Sequence, residues 1–287
     1  MRLYETLSRR AAWSYRIAAL SVFVFAGAFV WHRFFGLATP LAFKIMGAAI
    51  AGAIVAVVVA IAALVAIWNN GDRGAGRATT ALLLAALVLA VPLWSLPALL
   101  TLPRLYEVTT DPAAPPAFDR IARIRQGQAN PIRYEAAFAP LQAQAYPDLK
   151  PLVIQRPLVD VYTSVRDVVK TLNWKILEEQ APEATKAGHI EAVEKTLLFG
   201  FMDDVAIRVT GNAKSARVDI RSSSRFGQHD LGRNAERVRR FFMEVKNRLA
   251  ALERLERMER VVAARQAEEK EKAKSPAKPA SRKRDTN

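Results

Sequence analysis

Residues 45–68 read IMGAAIAGAIVAVVVAIAALVAIW, a stretch of 24 residues without a charged side chain. A helix rises about 1.5 Å per residue, so roughly 20 apolar residues suffice to cross the roughly 30 Å hydrocarbon core of a bilayer. Residues 78–102 form a second uncharged run of the same kind. Soluble folds have no need for uncharged helices of this length. The two runs therefore predict transmembrane helices.

A third apolar segment, residues 17–35, precedes these two and reaches the length of a span only with its flanks. Its basic start and the small residues at 26–28 are also compatible with a cleaved signal peptide. However, the apolar run continues past that site to Trp31. The sequence favours a retained helix, and it predicts that residues 1–103 form a membrane domain with three transmembrane helices.

The Lys and Arg residues that flank these helices predict their orientation, because positive charges are kept on the cytoplasmic side. One side of the membrane region carries Arg2, Arg9, Arg10, Arg16, Arg73 and Arg77, and the other carries Arg33, Lys44 and Arg104. We therefore expect a multi-pass protein of the inner (plasma) membrane. Its N-terminus would be cytoplasmic and its soluble domain periplasmic.

The remainder of the chain is much more charged and divides into residues 104–255, long enough for one soluble domain, and residues 256–287. The net charge of the whole chain is +15, which favours anionic partners such as lipid headgroups or envelope polymers. The chain has no cysteine, which excludes disulfides, thiolate metal sites and cysteine nucleophiles.

Periodicity in residues 104–255 predicts an α+β fold. Strands are expected at 174–179, 188–195, 204–210 and 217–223. In the last two, aliphatic and charged residues alternate, so one face should point to the core and the other away from it. The inward set is Val205, Ile207, Val209, Val218 and Ile220, and the outward set is Arg208, Arg217, Asp219 and Arg221. This predicts an antiparallel meander of about four strands with helices packed on one face.

Two helices accompany the predicted strands. One covers residues 161–172 with Asp160 as its N-cap, and a long one carries an apolar stripe over 238–252. Residues 104–146 are rich in proline and alanine and are expected to form an ordered strap rather than a regular element. Residues 256–287 should continue the long helix as a charged extension and end in a disordered basic tail.

Four ordered blocks of the chain resemble a known family. They are YEVTTDP at 106–112 with PPAF at 115–118, AYPDL at 145–149, IEA at 190–192 leading to FMDDVAIR at 201–208, and VDIRSSSRFG at 218–227 continuing through DLG at 230–232 to Asn234. Together they resemble domain-of-unknown-function family 1499 (DUF1499) over about residues 105–250. The resemblance implies a protein of the bacterial envelope or of plastids. It implies no activity, because the family has none assigned.

The densest polar cluster lies at residues 221–234, from a strand end through a glycine-containing loop to a helix N-terminus. Unpaired backbone N–H groups at such a terminus favour an anion. Guanidinium groups and hydroxyls add donors for a carboxylate or phosphate. The candidate anion-binding residues are Arg208, Arg221, Ser222, Ser224, Arg225, Asp230 and Asn234.

The same cluster has two other interpretations. In a purely structural network, Asp230 caps the helix while the arginines pair with acidic residues of the sheet. Those acidic residues are Glu191, Asp203, Asp204 and Asp219. In a membrane-anchored, hydrolase-like enzyme, Ser222, Ser224, Asp203 or Asp230 would carry the reaction, although only His229 and Asp230 are near enough in sequence to act as a base.

No metal and no cofactor is expected. Asp203 and Asp204 are adjacent in a predicted strand and should point to opposite faces. The three histidines have no neighbours at metal-ligand spacing, and no nucleophile elbow, phosphate-binding loop or dinucleotide motif is found.

The leading hypothesis is a membrane-tethered binding or structural module of the cell envelope. Its expected partners are the lipid bilayer and an anionic small molecule or envelope polymer, and nucleic acid is not expected. A third hypothesis is an assembly factor that contacts partners or a second copy through the long helix. Leu249, Leu252 and Leu255 would then form part of a seam.

Overall fold

The structure of the protein is a computed structural model that describes residues 6–125, 130–183 and 186–274. Three long helices come first, and an α+β domain with a long C-terminal helix follows them. The part of the predicted basic tail from residue 275 onward lies outside the described residues.

The three predicted apolar helices are present, and each is long and apolar enough to cross a membrane. They are α1 (Arg9–Phe35), α2 (Thr39–Asn70) and α3 (Ala75–Thr101). The connections between them are short, so consecutive helices run antiparallel. The end of α1, the start of α2 and the end of α3 therefore lie on the same side, where the domain begins.

Alanines hold the three helices together away from the domain. Ala53, Ala56, Ala60 and Ala63 of α2 are fully buried at spacings of three and four residues. They pack in clusters with fully buried alanines of the other two helices, which are Ala11, Ala18, Ala78, Ala81 and Ala85. Lipid provides no hydrophobic drive between apolar helices, so small residues that allow close backbone approach favour association.

Two prolines lie within α3 near its domain-side end, at Pro92 and Pro97. Proline removes a backbone hydrogen bond and commonly kinks or ends a helix. α3 nevertheless continues to Thr101. The hydroxyls of Ser95 and Thr101 add hydrogen bonds to the carbonyls of Pro92 and Pro97 at 3.0 Å and 2.8 Å.

The domain contains a six-stranded antiparallel sheet in the order β1-β6-β5-β4-β3, with β2 also paired to β6. The strands are β1 (Glu107–Thr109), β2 (Leu152–Ile154), β3 (Lys175–Gln180), β4 (Gly188–Lys195), β5 (Met202–Gly211) and β6 (Ala216–Ser224). The four predicted strands are confirmed as the meander β3 to β6. The two added strands have only three residues each, too few for an alternating pattern to be recognised.

Two helices cover one face of the sheet, as predicted. They are α6 (Leu158–Thr171) and α7 (Arg233–Lys274). The five aliphatic residues predicted to face inward on β5 and β6 all belong to this core. Trp174 stacks on Phe241 of α7, with ring centroids 5.7 Å apart. The predicted cap of α6 is wrong: Pro157 occupies the N-cap position, and Asp160 lies in the first turn.

The segment before α6 is more regular than the strap that we expected, because β1 and two short helices lie within it. The helices are α4 (Arg120–Ile124) and α5 (Phe138–Ala145). Gln142 of α5 accepts from the Thr109 N–H at 2.9 Å and donates to the Thr109 carbonyl at 2.7 Å. This side chain therefore satisfies the outer edge of β1, which would otherwise present unpaired backbone groups.

Candidate functional site

The structure does not gather the predicted anion-site residues in one place, because β6 alternates. Arg221 points to the sheet face that carries α4, while Ser222 and Ser224 point to the face that carries α7. Successive side chains of a strand lie on opposite faces, so the arginines and the serines of this cluster cannot meet at one ligand. Each set has its own partners within the protein.

Arg221 forms a buried ion pair with Glu107 of β1. The Nη2 and Nε atoms of Arg221 donate to Oε2 of Glu107 at 2.6 Å and 3.0 Å, and both side chains are at most 4% exposed. The guanidinium also lies 4.5 Å from the ring centre of Phe118. Burial raises the pKa of Glu107, and the charge of Arg221 opposes that rise. This guanidinium is therefore buried and paired within the protein.

The other arginines of the same face are also paired. Arg225 donates to Asp204 at 2.7 Å, and the buried Arg125 lies 3.3 Å from the same carboxylate. Arg208 donates to Asp219 at 3.0 Å and to Asp111 at 2.9 Å, and Arg217 joins both acids. This part of the cluster forms the ion-pair network that the structural interpretation describes, with Glu107, Asp111 and Arg125 as members that sequence reasoning missed.

Glu191 binds the start of α4 rather than an arginine. Its carboxylate accepts the backbone N–H groups of residues 119, 120 and 121 at 2.6 Å, 3.0 Å and 2.8 Å. His189 lies 3.3 Å from the same carboxylate. Burial alone would raise the pKa of Glu191, but the bond from His189 and the three N–H donors together lower it.

Asp119, His189 and Glu191 place ligand atoms within 4.8 Å of one another, the one such group of three found among the described residues. Folding creates this group, since sequence spacing gave His189 no such neighbours. The three N–H donors already occupy the Glu191 oxygens, and their partial positive charge disfavours a cation. The geometry therefore fits a helix N-terminus held by a carboxylate better than a metal site.

On the α7 face, the two serines belong to a second polar cluster around Arg237. The Ser222 hydroxyl donates to Asn234 Oδ1 at 2.8 Å and accepts from Arg237 at 2.8 Å. Arg237 also pairs with Asp203 and Glu194. Ser224 accepts from the Asn234 amide at 3.2 Å. Among the described residues, no histidine or carboxylate is hydrogen-bonded to either serine hydroxyl, so the cluster lacks the base that a serine nucleophile needs.

Asp230 caps α7, as the structural interpretation proposes. Its carboxylate accepts from the N–H groups of Gly232 and Asn234, both at 2.9 Å. Burial raises the pKa of Asp230, and these bonds oppose the rise. The helix N-terminus that sequence analysis assigned to an external anion is therefore already occupied by a carboxylate of the chain itself.

The 229–232 loop also joins the domain to the end of α3. His229 Nδ1 accepts from the Leu231 N–H at 2.9 Å, and its Nε2 lies 3.2 Å from the Leu102 carbonyl. Gly232 has a φ of 80°, and a Cβ there would come within 2.8 Å of Leu102. The backbone conformation favours glycine at this position, and a larger residue would also have to displace the Leu102 methyl group.

A cleft of about 1080 Å³ lies beside this joint, between the domain-side halves of α2 and α3 and the lower edge of the domain. Its membrane-side wall is apolar and includes Phe25, Phe43, Met46, Gly47, Ile50, Val91 and Ala98. The four α2 residues in this wall lie at i, i+3, i+4 and i+7, which is one face of a helix. Alanines therefore pack the helices together in the half of the bundle that is far from the domain, whereas the half near the domain borders the cleft.

The domain side of the cleft combines polar and apolar residues. Its polar residues include Asp203, Ser224, Asp230, Arg233 and Glu236, and its apolar residues include Leu198, Phe199, Phe201, Met202 and Phe226. Arg237 neutralises Asp203, and backbone N–H groups bind Asp230. Within the part of the chain that the structure describes, the exposed guanidinium of Arg233 makes no ion pair or hydrogen bond. Sequence analysis missed this cleft, because only folding brings the 196–203 and 224–236 segments to the helix ends.

The sequence of the domain is similar to a known protein family. Residues 107–245 match the family described as "Protein of unknown function (DUF1499)". The match begins at β1 of the DUF1499 domain and ends within α7, so it contains the whole sheet and both buried ion-pair clusters. The three apolar helices, which form most of the cleft, precede it. A comparison with curated proteins gives no match.

Replacing Arg221 with alanine should destabilise the DUF1499 domain. The change leaves Glu107 buried without its partner, which we expect to lower the free energy of unfolding by about 3–5 kcal/mol. Arg217→Ala is the matched control, since this arginine is 44% exposed and should contribute less than about 1 kcal/mol. Denaturant unfolding of the detergent-solubilised protein measures both. Equal midpoints for the two variants would contradict a structural role for Arg221.

Acidic pH should lower the free energy of unfolding of the domain, partly because Glu191 becomes protonated. Because folding lowers its pKa, its stabilising contribution is complete above the ordinary glutamate pKa and is lost as the pH falls through the lowered value. Glu191→Gln should therefore be less stable at neutral pH and should lose less stability on acidification. Urea midpoints measured across the acidic range test this, and parallel pH profiles for the two proteins would contradict it.

Proposed function

We propose that this membrane-associated protein is a binding module for an amphiphile, whose apolar part occupies the cleft between α2 and α3. The single observation that carries the proposal is the two-sided lining of that cleft. Its volume of about 1080 Å³ lies slightly above the roughly 300–1,000 Å³ typical of ligand pockets. An apolar wall formed by the membrane helices, beside a domain edge that carries charged groups, matches a molecule with a chain and a headgroup.

The apolar part of the ligand would be reached from the surrounding bilayer. Gly47 is exposed, and a Cβ built on it meets nothing within 4 Å, so α2 leaves room there. Trp94 on α3 is 88% exposed and also borders the cleft, as an amphipathic side chain at a membrane boundary does. A ligand drawn from one leaflet would keep its chain in an apolar environment throughout.

The headgroup that we propose is anionic. Its binding residue would be Arg233 rather than Arg221 and Arg225, which the sequence suggested. Arg233 is the cation of the rim that lacks a partner among the described residues, while Asp203 and Asp230 are compensated. Glu236 stands at the exposed edge, one turn from Arg239. A guanidinium in this position suits a phosphate or carboxylate group.

The two other hypotheses have less support. The serines lack a base, as described above, which argues against the hydrolase-like alternative. The leucines expected to form a seam on the long helix lie in different environments. Leu249 lies in the domain core at 6% exposure, whereas Leu255 is 51% exposed. What supports an assembly role is the exposed stripe that remains farther along α7, formed by Leu255, Met258 and Val262.

Filling the cleft should abolish amphiphile binding. Gly47→Leu places a side chain in open space within the cleft, whereas Gly27→Leu, also on an exposed helical glycine with open space, lies outside it. Native mass spectrometry of the purified protein should find a bound amphiphile on the original chain and on Gly27→Leu, but not on Gly47→Leu. Equal occupancy in both variants, or none in the original protein, would exclude this function.

Native mass spectrometry also tests whether the site prefers an anionic headgroup. Arg233→Gln should weaken binding of an added anionic phospholipid by about tenfold, or about 1.4 kcal/mol, without a matching change for a zwitterionic one. If the variant loses affinity for both lipids equally, the proposed selectivity for an anion is wrong, but binding of an amphiphile in the cleft is not contradicted.

We further propose that the domain lies outside the cytoplasm, as the flanking charges favour. The chain has no cysteine, so single cysteines can report accessibility. Lys214→Cys lies in the turn between β5 and β6, and Asn70→Cys lies at the far end of α2. A membrane-impermeant maleimide added to spheroplasts should label the first and spare the second. The reverse pattern would place the domain in the cytoplasm.

A further inference from the structure

The tip of the β4–β5 hairpin, residues 196–201 with the sequence TLLFGF, is an apolar turn at the edge of the domain. It is closed by hydrogen bonds of its own. The Thr196 N–H donates to the Phe201 carbonyl at 2.8 Å, and the Gly200 N–H donates to the Thr196 carbonyl at 3.0 Å. The Thr196 hydroxyl accepts from the Phe201 N–H at 2.9 Å. These bonds close the base of the turn, so fewer of its backbone groups depend on water.

One side of this tip packs on the membrane helices. Phe199 contacts Phe29 edge-to-face, with ring centroids 5.5 Å apart, and joins the apolar cluster around Ala28, Ala42 and Met46. Phe201 contacts Phe43 of α2 at 5.0 Å. These contacts hold the turn against α1 and α2 rather than in solvent.

The contacts also place the tip along the helices. Phe29 lies four residues before Arg33 of α1, and Met46 lies two residues after Lys44 of α2. At 1.5 Å per residue, these residues lie about 6 Å and about 3 Å beyond the neighbouring basic residue toward the apolar part of each helix. Phe199 therefore contacts the helices just inside their basic ends, where the uncharged run of α2 begins.

The opposite side of the tip has no protein partner in the described parts of the chain. Leu197 is 88% exposed and Leu198 is 60% exposed, next to Phe199 in sequence. Burying a leucine fully is worth about 1.5–3 kcal/mol, so two adjacent leucines left in water are unfavourable. Lys195, just before the tip, donates to the Arg33 carbonyl at 3.4 Å, which places two cations together at headgroup level.

We propose that residues 197–199 insert into the leaflet on the domain side and act as a fourth membrane anchor. The partner is the acyl region of the lipid, because the tip is continuous with helices whose length and composition fit a bilayer. The insertion would fix the domain at two points, at the tip and at the end of α3. Leu198, Phe199 and Phe201 also line the amphiphile cleft, so the anchor would hold one of its walls in place.

Fluorescence of a single labelled cysteine tests the insertion in the full-length protein. Leu197→Cys, labelled with the environment-sensitive dye NBD, is reconstituted into vesicles of phosphatidylcholine and phosphatidylglycerol; unlike Leu198, this residue does not line the cleft. Lys214→Cys on the distal turn is the matched control. We expect blue-shifted emission at position 197 that decreases at least twofold when the vesicles contain lipids with a doxyl quencher on the acyl chain. The control should emit as in water and remain unquenched.

Two results would overturn the proposal. Aqueous emission at position 197, equal to that at 214, would show that the tip lies in solvent. Blue-shifted emission that the lipid quencher does not reduce would show that protein covers the tip, as in a contact between two copies. Neither result depends on whether the cleft holds an amphiphile, so this test and the test of the proposed function can fail separately.

Discussion

The alternation of side chains along β6 is the constraint on which the domain depends. This strand pairs with β1, β2 and β5 and carries aliphatic residues toward α7 and charged residues toward α4. A sheet with charges on one face needs either water or paired partners there. The segment before α6 provides such partners, since Glu107, Asp111 and Arg125 all come from it. The ion pairs thus hold a proline-rich segment against the sheet and explain why it is ordered.

Because of this alternation, the residues that stabilise the domain differ from those that are available to bind a ligand. Residues that look like an anion site in sequence are divided between two faces and satisfied on both. The groups that remain available lie at the lower edge of the domain, where the α7 start, the 226–232 loop and the β4–β5 tip meet the helix ends. An accessible guanidinium beside an open apolar wall has a clearer chemical use than a buried arginine that already has a carboxylate partner.

The membrane helices contribute more than attachment in this arrangement. Their far halves pack through alanines, while larger residues of their near halves, such as Phe43 and Met46, line the cleft. This arrangement places a cavity next to the domain instead of within it. A ligand site divided between a lipid-facing bundle and a polar edge requires both parts of the chain, which gives a physical reason for joining them in one protein.

Much of this architecture is determined by the sequence alone. Long uncharged runs locate α2 and α3, a shorter apolar run locates α1, and a two-residue period identifies β5, β6 and the direction of their side chains, because these signals arise from neighbours along the chain. The short strands β1 and β2, the partner of Arg221 and the position of the β4–β5 tip could not be inferred in this way. They depend on contacts between residues more than 60 positions apart, such as Leu152 with Val218, Glu107 with Arg221 and Phe29 with Phe199. Only the tertiary structure places the apolar turn TLLFGF against the membrane helices and thereby completes the cleft.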